Sequence, residues 1–150
     1  MTIGKKARRV GVLAATAAAM AAIAAPAEGR ALFDHHFKVV EENVGAREIP
    51  NGVAFRSVLF NPFNLSNRIG HLHGRCVDRG GRKARCKARI HLDGSIGGFG
   101  DLIVKGNTLR GDNTLNVVDG SGDFTGRIAG KMVIKGLDRT TSLLKFDLTR

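Results

Sequence analysis

Val118-Asp119-Gly120-Ser121-Gly122-Asp123-Phe124-Thr125-Gly126-Arg127-Ile128-Ala129-Gly130 reads as the connection between two antiparallel strands. Gly120 and Gly122 bracket a serine, between an apolar stretch (Leu115, Val117, Val118) and an alternating one (Ile128, Gly130, Met132, Ile134). This is how a tight hairpin is written. Gly126 and Gly130 mark places where the backbone must bend or another segment packs closely, as at the corners of a small closed barrel. No phosphate loop is implied, because no helix follows and no lysine stands at the required place.

Outward from that hairpin the same period-two alternation recurs. It is visible in Leu32–Asn43, Val53–Asn61, Ile69–Asp78, Ala84–Leu92, Phe99–Lys105, Thr114–Val118, Phe124–Ile134 and Thr141–Thr149, with Gly, Asn, Asp and Pro between. Eight short strands with no long helix predict an all-β fold, an antiparallel barrel or sandwich. An even strand number favours an eight-stranded antiparallel β-barrel, since closure removes exposed edges.

The first residues are an address. Lys5, Lys6, Arg8 and Arg9 form a basic region, Val10–Ala25 is alanine-rich and apolar, and Ala25-Pro26-Ala27 offers small residues for cleavage. Residues 1–27 are therefore expected to be a signal peptide, and Glu28–Arg150 one secreted or periplasmic domain. An uncleaved anchor is the rival reading, for which the segment is short and weakly apolar. Removing the leader's four cations lowers the formal charge from +11 to +7. Seven of the remaining cations, Arg75, Arg79, Arg82, Lys83, Arg85, Lys87 and Arg89, stand in one short segment against only Asp78.

That segment folds back on Gly80-Gly81 as a hairpin, in a register that sets Cys76 opposite Cys86, Leu72 opposite Ile90 and Gly74 opposite Ala88. Both cysteines then share the apolar face, and in an exported protein a disulfide is expected. Two separate buried thiols are the alternative. Arg75, Arg85, Lys87 and Arg89 point the other way. Such a stripe fits a polyanion or an acidic membrane surface, and equally a solvated face that keeps the hairpin soluble. Nucleic acid is not an expected partner: the chain has no Trp or Tyr to stack on bases. His71, His73 and His91 also point outward, with no carboxylate or cysteine foreseen on that face. They read as surface histidines, and no metal site is expected.

On the first strand, alternation places Phe33, His35, Phe37, Val39, Glu41 and Asn43 on one face. A carboxylate continuing an apolar stripe is costly unless compensated, so Glu41 is the candidate acid, base or electrostatic group. A glutamate at a water-filled barrel mouth accounts for the same pattern. The second strand lines up Val53, Phe55, Ser57, Leu59 and Asn61, adding an amide able to hold an oxygen. Asn61 also suits the start of a turn with Pro62.

These residues resemble the allene oxide cyclase barrel family, with dirigent proteins more distantly similar. Val118–Gly130 looks like that family's glycine-rich hairpin, and Arg68-Ile69-Gly70-His71-Leu72-His73-Gly74-Arg75-Cys76-Val77 looks like the plant cyclases' R-[IL]-G-x-x-x-G-x-C-V. The resemblance implies an eight-stranded barrel, often a homotrimer, whose apolar interior folds an unsaturated fatty-acid epoxide for ring closure without a cofactor. It implies that Glu41 assists epoxide opening and that Asn43 completes the family's E-x-N. It further makes Pro50 a pocket proline, places Cys76 near the reacting chain, and leaves the remaining pocket asparagine to Asn61 or Asn64. Ile49 stands where the plant enzymes carry serine. The expected function is thus a secreted barrel binding an apolar small molecule, as a cofactor-independent isomerase (cyclase) if it is an enzyme. The alternative is a non-catalytic dirigent-like or envelope-associated binding protein.

Overall fold

A computed structural model describes residues 35–81, 83–109, 113–126 and 128–149. The expected signal peptide, and the first residues expected of the first strand, lie outside them. Eight antiparallel strands form one closed barrel in chain order: β1 (His35–Ile49), β2 (Gly52–Asn61), β3 (Asn64–Asp78), β4 (Lys83–Asp93), β5 (Phe99–Leu109), β6 (Thr114–Gly120), β7 (Ala129–Gly136) and β8 (Thr141–Thr149). β8 pairs back onto β1, so every strand has two neighbours and no ladder is left open.

Alternation sorts the side chains as a barrel requires. Val39, Leu59, Leu72, Ile90, Leu92, Leu102, Val104, Leu115, Met132, Leu144 and Leu148 fill the interior and are all but inaccessible to solvent. Burying each such side chain contributes about 1.5–3 kcal/mol, and this core holds the strands together. Bulges interrupt the ladder between Asn43 and Gly45, around Leu59–Asn61, and between Ile103 and Val104. Each adds twist where a small barrel must turn.

The two ends of the barrel differ. At one, the connection from β6 to β7 turns through a single 3-10 turn, Gly122–Phe124, and drives the Phe124 ring into the core. Phe124 lies 6.4 Å from Phe37, which stacks on Phe146 at 4.6 Å. The loop is tied to β5: Ser121 N–H donates to the Asp101 carbonyl (2.9 Å), Asp123 accepts from Phe99 N–H (2.8 Å), and Ser121 Oγ accepts from Asp101 N–H (3.2 Å). The expected hairpin between β6 and β7 is present, but its connection is not tight. β7 begins at Ala129 and not at Phe124, because an aromatic plug is worth more buried in the barrel end than extended on a strand. Gly130 keeps the role expected of it. Its φ is 153°, and a side chain there would run into the Asp147–Leu148 backbone of β8.

At the other end, β8 stops pairing with β1 at Thr141 opposite Glu42, whereas β1 and β2 continue to Ile49 opposite Gly52. β3 and β4 also extend there, to Asp78 opposite Ala84. The rim is therefore high over β2–β4 and low at β7, β8 and the middle of β1. Cys76 faces Cys86 across the high wall, and the two form a disulfide. The loop it closes is short, so replacing both cysteines with alanine is expected to cost roughly 2–3 kcal/mol, read as a lower urea midpoint. An unchanged midpoint, with two thiols titrating in unreduced wild type, would overturn the pairing.

Candidate functional site

Glu41 stands at the low side of the open rim. Its neighbours in register are Leu59 on β2 and Ser142 on β8, and it follows Phe37 and Val39 on the inward face of β1. Its side chain is part-buried, while Ser57, one step along β2 from Leu59, is only 2% exposed. The Ser57 hydroxyl donates a 2.6 Å hydrogen bond to Glu41 Oε1. Burial raises the Glu41 carboxyl above its ordinary value, and the Ser57 hydrogen bond partly offsets that rise. Desolvation is the larger effect, so the site holds a carboxyl that is harder to ionise than an exposed one and whose orientation is fixed by a buried hydroxyl.

Around this pair the inward faces are mostly apolar. Phe55 lies over Gly74, where an added methyl group would run into its ring. Phe55, Cys76, Ala84 and Ile134 are partly buried hydrophobics packed against the core. Thr108 reaches Cys86 Sγ at 3.5 Å. The open end therefore presents an apolar collar with one carboxyl and three hydroxyls, Ser57, Thr108 and the part-buried Ser142. A carboxyl so placed can pass one proton to or from a single oxygen. At the opposite end the buried Phe124 ring fills the barrel.

Other residues singled out from the sequence are dispersed. Asn43 is exposed at the bulge, where its Oδ1 accepts from Gly45 N–H (3.0 Å). Pro50 is exposed in the turn between β1 and β2, past the bulge and at the tip of the high wall. Asn61 lies at the plugged end, its Oδ1 accepting from Phe63 N–H (2.8 Å). Asn64 does the same for Ser66 N–H (3.1 Å). Asn61 and Asn64 build the turn at the plugged end, away from Glu41, whereas Asn43 stands in the bulge opposite Ser57 in register. Cys76 shares the open end but carries no thiol, being bonded to Cys86. Ser57 is the group that residue-by-residue reading missed. The signal was a lone hydroxyl in the apolar stripe Val53, Phe55, Leu59, one strand away from a lone carboxylate.

The outer face holds the histidines. His71 and His91 face each other across β3 and β4, with ring centres 5.0 Å apart. The carboxylate not foreseen there is Asp101, which β5 sets opposite His91 at 2.7 Å from its Nδ1. Desolvation, then the neighbouring His91 and His73, lower the pKa of His71. Among the described residues, no group of three His, Cys, Asp or Glu side chains is placed to hold a metal ion.

No family model and no curated protein matches the sequence. Among solved structures, a pyocyanin demethylase superposes with a TM-score of 0.60 at 16% identity, covering 76% of this chain and 99% of its own. Two pterocarpan synthase dirigent proteins are also similar. GePTS1 gives a TM-score of 0.58 at 13% identity, over 79% of this chain and 87% of its own. PsPTS1 gives 0.54 at 12% identity, over 77% and 93%. At such identities the likeness is one of fold: this chain is a small closed barrel similar in fold to these proteins.

Proposed function

We propose that this protein is an exported barrel that takes an apolar small molecule at its open end and rearranges it, with Glu41 as the proton-transferring group. The observation that carries the reading is the Glu41–Ser57 pair: a part-buried carboxyl, made harder to ionise, in an otherwise apolar collar. A carboxyl that burial makes harder to ionise can, in its protonated form, donate to an epoxide or carbonyl oxygen as the carbon skeleton rearranges, and recover a proton from the product. That cycle involves no net oxidation and needs no cofactor. Ser57 orients the acid, and Phe55 and Ile134 supply apolar contact for the chain of the ligand. Two fold neighbours bear names stating pterocarpan synthesis and one states demethylation of pyocyanin, which supports small-molecule chemistry in this kind of barrel. The resemblance to allene oxide cyclases supports ring closure as the rearrangement. Export rests on the shape of residues 1–27 and is consistent with the disulfide.

The test is native extraction. Mature protein purified from an exporting host is expected to release one apolar species in near-equal molar amount by mass spectrometry, and Ile134→Arg, which puts a charge in the collar, is expected to release at least about tenfold less. Empty wild-type protein that also fails to take up added unsaturated fatty-acid epoxides would overturn the reading.

A further inference from the structure

The outward side of β1–β5 carries a feature that the lumenal chemistry does not use. Two adjoining hollows of about 620 and 600 Å³ lie along it, sharing Arg75 and Lys87. Their ionisable lining consists of arginine, lysine and His73, without a single Asp or Glu. Register explains how the cations meet. Arg47 pairs with Ala54, Ala54 with Arg75, Arg75 with Lys87, and Lys87 with Lys105. Four cations therefore stand in one row across the strands, on sheet spacings of about 4.8 Å. The next row outward along the strands contains Arg56, His73 and Arg89, also in register. Among the described residues none of these arginines or lysines forms an ion pair, and the ion pairs present join His36 to Asp147 and His91 to Asp101. Like charges placed directly opposite on neighbouring strands are destabilising. Here two such contacts, Arg75 to Lys87 and Lys87 to Lys105, are aligned on one concave surface with no carboxylate to relieve them.

We infer that this trough is a binding site for a linear acidic polysaccharide, a chain bearing repeated carboxylate or sulfate groups. A single extended polyanion can lie along the trough and bring successive charges against successive cationic rows, replacing mutual repulsion by attraction. Concavity disfavours a flat anionic bilayer. The most exposed apolar groups, Phe63 at 94% and Leu65 at 62%, are at the plugged end, and the trough offers only Val118 to anchor one. Single-stranded nucleic acid is disfavoured because the trough lining holds no Trp or Tyr and its one phenylalanine, Phe55, packs against the core, which leaves only the His73 imidazole for bases to stack on. The site is separate from Glu41, which faces inward, so loss of one function leaves the other.

Titration of the full mature protein with fluorescent heparin and polygalacturonate oligosaccharides tests this. Binding to either is expected, weakening by about tenfold or more as salt rises from low to physiological ionic strength. Neutral dextran is expected not to bind. Arg75→Glu with Lys87→Glu should lower affinity at least tenfold, while its melting temperature stays the same or rises because repulsion is removed. Lys38→Glu with Lys145→Glu reverses an equal charge at a cross-strand pair on the β1–β8 side and should change affinity by less than about twofold. Absence of binding to both polysaccharides, equal losses in the two double variants, or tighter binding to phosphatidylglycerol vesicles or single-stranded DNA at matched charge would each overturn the inference.

Discussion

Phe124→Ala is expected to lower stability by about 3–5 kcal/mol, a loss large enough to leave much of a marginal domain unfolded at physiological temperature. Phe124 is wholly buried, and its ring meets Phe37, which in turn stacks on Phe146. Removing it deletes the transfer free energy of an aromatic side chain and leaves a cavity that the closed ladder cannot collapse to fill. It also frees the loop that Asp123 and Ser121 tie to the start of β5. Denaturant unfolding measures the loss. Phe124→Leu, which keeps most of the volume, should recover more than half of it. A cost below about 1 kcal/mol for Phe124→Ala would show that the loop packs on the outside of a barrel already closed by other groups.

Glu41→Gln is expected to abolish the proposed turnover to within about 1% of wild type or less, the usual consequence of losing a positioned acid or base. The protein should meanwhile become more stable at neutral pH. The sign follows from the direction of the shift. Burial raises the native carboxyl above its ordinary value of 4.5, so ionising Glu41 costs more in the folded chain than in the unfolded one. The native state has its full share of stability below pH 4.5 and loses part of it as pH rises through the raised native value. Glutamine keeps a carbonyl oxygen for the Ser57 hydroxyl and cannot ionise. The two proteins should therefore have similar melting temperatures in acid and diverge, with the variant higher, toward neutrality. Equal turnover and equal ligand affinity would leave Glu41 as a rim residue. Lower stability of Glu41→Gln at neutral pH would show that the carboxylate is compensated by more than Ser57.

These two residues lie on either side of what could be read without coordinates. Alternation identified all eight strands and assigned most side chains to their faces, because in-and-out periodicity is a local property of each strand. Hairpin symmetry about Gly80-Gly81 was sufficient to set Cys76 against Cys86 and to turn Arg75, Lys87 and Arg89 outward, since a short turn fixes register between sequence neighbours. Glu41 was legible for the same reason, as a charge interrupting an apolar period.

Three features were decided only by the folded barrel. The bulge after Asn43 inserts one residue, which reverses the facing of everything beyond it and sends Arg47 to the outer surface while Pro50 stays at an exposed tip. Phe124 continues an apparent strand pattern, yet it plugs the barrel, because only an assembled end offers an aromatic pocket to fill. Ser57 reaches Glu41, Asp101 reaches His91, and Lys105 completes the cationic row, each from a neighbouring strand. Alternation in one strand says which way a side chain points. What it meets there depends on the stagger between strands, which twist, bulges and closure set together, and no single stretch of the sequence encodes that.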